Sequence, residues 1–254
     1  MTATRPPATI VENANELRYT GVSMQRTQSE EFFEQYCVGR DYRCEAIPTD
    51  RQKSADYLVR AGAYDLIVEV KELCASDDDR RQIRELKERQ CTTGGGQPGR
   101  RAGELIKRAA KQLGRYRNRQ IPLVVLLYDN IVVDGYRPGF TNGFLQPSFI
   151  DFGMYGLQTV NLVVDHRIGE IRYGGDGRGG ERQATATERT YLSAVAVLYQ
   201  GELAKEMFVA VYHNYFATIP LSRKVFSGPA DRHFVKPGHP DLTPQAWEEL
   251  KACG

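Results

Sequence analysis

Two short alternating runs joined at Gly62 give the clearest pattern along the chain: Asp56-Tyr57-Leu58-Val59 and Asp65-Leu66-Ile67-Val68-Glu69-Val70-Lys71. Strand side chains alternate between faces, so the pair predicts a β-hairpin with Glu69 and Lys71 on one side and Val68 and Val70 on the other. Ahead of it, Ser29 followed by Phe32, Phe33, Tyr36 and Cys37 predicts a capped helix that stops at Gly39, then a short strand over Cys44 to Ile47. Behind it, Asp77 or Asp78 is expected to cap a charged helix reaching about Gln90, and the glycines from Gly94 to Gly99 predict a loop. Ala102, Leu105, Ile106, Ala109, Ala110 and Leu113 form one apolar face of a helix from Arg101 to Tyr116. The nearly unbroken apolar run from Ile121 to Tyr128 predicts a central strand covered on both faces.

Further strands are expected at Thr159 to Val164, Ile171 to Tyr173, Tyr191 to Leu198 and Met207 to Tyr212. The run Gly174 to Gly180 reads as a flexible turn, and Pro244 to Lys251 as a short helix. No internal repeat or linker divides the chain. The expected organisation is an arm over residues 1–26, a main domain over 27–215, and an extension over 216–254 packed on that domain.

Composition adds the charge distribution. The 254 residues carry a formal net charge of only +2, yet the window from Arg80 to Arg119 holds thirteen Lys or Arg against three Glu. Such a concentration gives an electropositive face suited to a polyanion. The cysteines at 37, 44, 74, 91 and 253 are odd in number and lack Cys-x-x-Cys spacing. They fit a reducing cytoplasm better than a disulfide framework or a zinc knuckle. His166, His213, His233 and His239 are too scattered to form a metal cluster, and no apolar run has the length of a leader or membrane span. The glycine loop lacks the frame of a nucleotide phosphate loop, and no Gly-x-Ser-x-Gly elbow is present.

The chemistry sits on the hairpin. Asp56 at the start of one strand and Glu69 on the next form an acidic pair beside Lys71, a set suited to holding a divalent cation near a phosphodiester. With the order helix, short strand, Asp56 strand, Glu69-Val70-Lys71 strand, helical segment and buried strand, residues 29–128 resemble the PD-(D/E)xK nuclease superfamily. Ala55 stands where that family has proline, a position that shapes backbone rather than chemistry. The resemblance implies an α/β fold with a restriction-endonuclease-like core, a mixed central sheet flanked by helices, here with additional C-terminal strands. It also implies that 27–215 is a nuclease-like domain.

By the same resemblance Asp56 and Glu69 would bind Mg²⁺ or Mn²⁺ and Lys71 would position the water. Of Glu30, Glu31 and Glu34, which compete for a further metal-ligand role on the first helix, Glu30 stands in a Glu-x-x-Phe spacing with Phe33 and is favoured, and Gln112 would be the polar residue often found on the helix after the Glu-x-Lys strand. Arg101, Arg108 and Lys111 line one flank of the second helix and would hold neighbouring phosphates without reading sequence. The implied function is a cytoplasmic metal-dependent nuclease, acting on DNA before RNA, with a homodimer or a protein partner as sources of specificity. The alternative is a nucleic-acid-binding or partner-binding protein that keeps the fold without turnover.

Overall fold

The computed structural model describes residues 26–48, 55–89, 99–131, 145–165, 170–179, 181–201, 206–241 and 246–251. Eight strands form one sheet. In spatial order they are β1 (Arg43–Ala46), β2 (Tyr57–Ala61), β3 (Tyr64–Cys74), β4 (Leu123–Asn130), β7 (Leu192–Gln200), β8 (Met207–His213), β9 (Arg232–Val235) and β10 (Glu248–Leu250). The sheet is mixed: β3, β4 and β7 pair in parallel, as do β8 and β9, while the other neighbours are antiparallel. A separate antiparallel ribbon pairs β5 (Leu157–Asp165) with β6 (Glu170–Gly179).

Helices cover both faces. On one lies α1 (Gln28–Gly39), whose Phe33, Tyr36 and Cys37 pack with Val68, Val70, Val124 and Leu126. On the other lies α3 (Arg100–Leu113), whose Leu105, Ile106, Ala109 and Leu113 pack with Ile67, Leu73, Val125 and Leu127. The alternating residues of β3 and β4 therefore enter two separate cores. Burial on both sides explains why β4 is apolar from Leu123 to Tyr128 instead of alternating with polar positions.

The fold is a mixed α/β arrangement with a central sheet flanked by helices and with extra C-terminal strands. The charged helix is α2 (Asp77–Arg89). Its neighbour α3 crosses α4 (Pro147–Tyr155), which hydropathy alone did not indicate. Pro147 opens α4 where a missing N–H leaves no extra orphan. The crossing needs two glycines face to face. A Cβ on Gly153 would meet the Gly103 nitrogen at 2.9 Å and its Cα at 3.2 Å. Gly153→Ala is therefore expected to destabilise the protein by about 1–3 kcal/mol, by forcing the helices apart. A urea titration of both proteins measures the difference.

Four expectations change. Thr27, rather than Ser29, caps α1, and Ser76, rather than Asp77 or Asp78, caps α2, its Oγ accepting the Asp79 N–H at 3.2 Å. Within the Gly174 to Gly179 run, Gly175 to Gly179 pair across to β5 as the second half of β6, with Gly174 left at a register shift; the partner strand supplies the hydrogen bonds that a lone glycine run lacks. The expected helix before Lys251 is instead the strand β10, paired with β9; Arg232 Nε reaches Glu249 Oε1 at 3.0 Å. Residues 1–25 of the expected arm, the loop residues 91–98 and His166 lie outside the described residues. Among those described, no helix is long and apolar enough to cross a membrane.

The C-terminal strands are tied in by a buried ion cluster. Asp151 of α4 accepts from Arg178 Nη1 of β6 at 2.7 Å on Oδ2, and its Oδ1 is ion-paired with Lys236 Nζ, just after β9, at 2.5 Å. All three side chains are essentially without solvent contact. Lys236 Nζ also lies 4.7 Å from the Trp247 ring centroid, beside β10.

Candidate active site

The hairpin register builds the site. Tyr57 pairs with Val68 as the last rung, and Gly62 takes φ +61° in the turn. Asp56 therefore stands one residue beyond the ladder, beside Glu69. Its Oδ2 accepts the Val70 N–H at 2.8 Å, a bond that a further rung of β2 would otherwise supply. Alternation along β3 turns Glu69 and Lys71 to the α3 face, in line with Ile67 and Leu73. Lys71 Nζ donates to Glu69 Oε1. Glu69 has no solvent exposure, whereas Lys71 keeps 22% of its side chain in contact with solvent.

Two carboxylates meeting in a buried place raise each other's proton affinity. Burial, then the charge of Asp56, lifts the Glu69 carboxyl from 4.5 to about 8, against the pull of Lys71. Burial likewise raises Asp56, opposed by the Val70 N–H and the Lys71 charge and reinforced by Glu30. Glu69 Oε2 is buried and has no hydrogen-bond donor among the described residues. An orphaned oxygen facing another carboxylate calls for a proton or a cation between them, so the pair fits a hard divalent cation with oxygen preference. Two acids meet here, not three: among the described residues, no group of three or more His, Cys, Asp or Glu side chains is placed to hold a metal ion.

Linkage gives the sign of the pH effect without metal. Between 4.5 and about 8 the folded protein keeps a proton on Glu69 that the unfolded chain has released, so stability falls as pH rises through that window. Between pH 5 and 9 the loss is expected to be about 2–3 kcal/mol, roughly half of what a rigid site closed to water would give. The Glu69→Gln variant should show a flatter profile. Denaturant midpoints at three pH values test both.

Glu30 takes a different position from the one expected. It is the third residue of α1, and its Oε2 turns back to the Thr27 N–H at 2.6 Å while Thr27 Oγ1 accepts the Glu30 N–H. This is a capping box, which Thr27-x-x-Glu30 announces in the sequence. Glu30 thus acts on Asp56 through its charge. Glu34 bonds the Tyr57 hydroxyl at 2.9 Å and Arg26 at 2.6 Å. Asp65 is exposed beside its ladder partner Arg60 and lies about 13 Å along the strand from Glu69, too far to share an ion with it.

The structure thus brings Asp56, Glu69 and Lys71 together. Gln112 is half-buried in the last turn of α3, and Lys111 beside it is exposed. Arg108 is exposed with Nε on the Glu104 carbonyl at 3.3 Å. Arg101 is committed to the fold: Nη1 bonds Asp79 Oδ2 and Nη2 the Cys74 carbonyl, each at 2.7 Å, clamping α2 and α3 to the end of β3.

One supporting residue was missed. Glu72 projects to the α1 face, where its Oε2 accepts the Ser29 N–H at 3.1 Å and its Oε1 accepts from Asn130 Nδ2 at 2.7 Å. Burial opposes its ionisation, but the bonds from Asn130 and Ser29 hold its carboxyl below the usual range. Glu72 therefore ties the start of α1 to β3 and β4 behind the acidic pair. Its place next to Lys71 on an alternating strand was the available signal.

No family model matches the sequence, and no curated protein matches it. Among solved structures, a similarity is found to "The structure of Pyrococcus Furiosus SfsA in complex with Ca2+", at 17% identity and a TM-score of 0.23. It covers 60% of this chain and 62% of that protein, so the chain spans less than two thirds of that protein's length. At so low a score the similarity carries neither fold nor function across.

Proposed function

We propose that this chain is a metal-dependent phosphodiesterase acting on nucleic acid, DNA before RNA, built on a restriction-endonuclease-like core. The observation that carries the reading is the convergence of Asp56, Glu69 and Lys71 at the open end of the β2–β3 hairpin. The run α1, β1, β2, β3, helices, β4 supports the same core. Asp56 and Glu69 would hold Mg²⁺ or Mn²⁺. Bound there, the ion supplies Lewis-acid polarisation of the phosphate and a more acidic water.

The remaining steps belong to the chain. Ionised Asp56 and Glu69 hold negative charge beside the phosphate-binding position, and Lys71 offsets part of it. Its partial exposure lets the ammonium leave Glu69 Oε1 and orient a water. Exposed Arg108 and Lys111 on α3 would meet flanking phosphates and make binding salt-dependent.

A second reading follows from the acid count. A pair of carboxylates without a third acidic or imidazole ligand among the described residues favours a protein that binds nucleic acid and does not cut it. Incubating the full chain with duplex DNA, single-stranded DNA and RNA, with Mg²⁺, Mn²⁺ or chelator, separates the two. Metal-dependent cutting supports the enzyme. Binding with no cutting under any ion assigns the second reading.

A further inference from the structure

Between residues 100 and 120 stand eight Lys or Arg and a single Glu, and the fold sorts these charges into two classes. Arg101 is neutralised by Asp79, and Lys107 by Glu181 Oε1 at 2.5 Å from its Nζ. Arg108, Lys111 and Arg115 are exposed, and they follow one another at i, i+3 and i+7. The helical turn Gly114–Tyr116 continues α3, with Gly114 at φ −54° and ψ −20°, so the three cations share one line along the helix. That line runs opposite Ala102, Ile106, Ala109 and Leu113, which face the core. Arg117 and Arg119, also exposed, extend it onto the turn that leads to β4. Glu104 stands one turn before Arg108 and bounds the row at that end. Arg108 donates to the Glu104 carbonyl, a neutral acceptor that leaves its charge uncompensated. Among the described residues no carboxylate forms an ion pair with Arg108, Lys111, Arg117 or Arg119.

Such a row fits a polyanion whose charges repeat at the same interval. At a rise of about 1.5 Å per residue, Arg108 to Arg115 spans about 10 Å. One strand of a duplex presents a phosphate about every 3.4 Å of axis, so three cations meet about three consecutive phosphates. The height of the row decides between one strand and two. Glu69 and Lys71 project from β3 toward α3, and the far side of that helix stands about 10 Å above the sheet. Two phosphate lines that far apart match the strands bordering the major groove of a duplex, about 12 Å across. Single-strand sites, by contrast, stack bases on aromatic rings. Tyr116, the one aromatic residue between 100 and 120, is half-buried against the α3 core, with the Arg119 guanidinium 5.2 Å from its ring centroid. We infer that the substrate is a duplex. The strand to be cut lies at Asp56, Glu69 and Lys71, and its complement runs along Arg108, Lys111 and Arg115, with Arg117 and Arg119 beyond. The inference rests on the nucleic-acid reading above and adds to it the strandedness and a contact with the second strand.

The test measures binding of the full chain, in chelator, to a fluorescent DNA duplex of about 20 base pairs and to one of its strands, across a salt series. The duplex is expected to bind about tenfold more tightly than the strand. The triple variant Arg108→Ala, Lys111→Ala, Arg115→Ala should lower the slope of log affinity against log salt by about 2–3, roughly 0.9 for each lost phosphate contact. It should also remove the preference for duplex. All three side chains are exposed, so the variant keeps its fold, which an unchanged urea midpoint verifies. Lys107→Ala removes the same charge from the flank held by Glu181 and should leave slope and preference as they were. A strand that binds as tightly as the duplex, an unchanged slope in the triple variant, or an equal loss per charge in Lys107→Ala overturns the inference. Cleavage confined to single strands would also overturn it and leave the enzyme reading standing. A protein that holds duplex along this row and never cuts it would sink the enzyme reading alone.

Discussion

Asp56→Asn and Lys71→Ala are each expected to reduce Mn²⁺-dependent cleavage of DNA by about a thousandfold or more, with the fold intact. Asparagine keeps an oxygen for the Val70 N–H and the shape of the side chain, and it removes a buried negative charge that repels Glu69. The metal-free variant should therefore be no less stable than the parent. What it loses is half of the anionic pair that would hold a divalent ion. Lys71→Ala removes the ammonium from Glu69 Oε1 and leaves a carboxyl already raised to about 8 without its counter-charge. That carboxyl then keeps its proton and stays satisfied in the folded state. Loss of cutting with retained DNA binding identifies the residues as catalytic. Unchanged cutting in both variants removes the basis of the enzyme assignment.

The largest effect on stability is expected at the other charged cluster. Asp151→Asn should destabilise the protein by about 3–5 kcal/mol at neutral pH, because it leaves two buried cations without their anion. Burial already pulls the Lys236 ammonium below its ordinary value, and the opposing influence is Asp151 itself. With the carboxylate gone, part of the penalty should fade as pH rises and Lys236 becomes neutral. Urea unfolding at pH 7 and pH 9, on both proteins, tests the size and the pH trend. A loss under 1 kcal/mol would mean that water reaches the cluster and screens it, contrary to its burial.

The two acidic sites differ in how far they were legible in the sequence. Asp56, Glu69 and Lys71 lie within sixteen residues on one hairpin, so strand alternation and a Gly62 turn suffice to place them together. Asp151, Arg178 and Lys236 come from a helix, a ribbon and a tail, and no local period links them. Arg101 shows the converse limit. Its helical position placed it on a basic flank, yet Asp79 and the Cys74 carbonyl are nearer partners than any phosphate. Glu30 was legible in another sense, because Thr27-x-x-Glu30 has capping-box spacing and the side chain follows it.

What the sequence by itself determined is local: β3 and β4 as buried strands, α3 as an amphipathic helix, and an acid pair beside a lysine across one hairpin. Each follows from a period of two or 3.6 residues and from turn chemistry acting over a few positions. Only the tertiary structure decided the sheet order β4-β7-β8-β9-β10, the Gly103–Gly153 crossing and the strand identity of β10. It also decided which charges are buried together and which remain in water. The reason is energetic: a glycine run, a Glu-Glu pair or a lone arginine is compatible with several local conformations, and the choice is made by hydrogen bonds and ion partners supplied from distant segments.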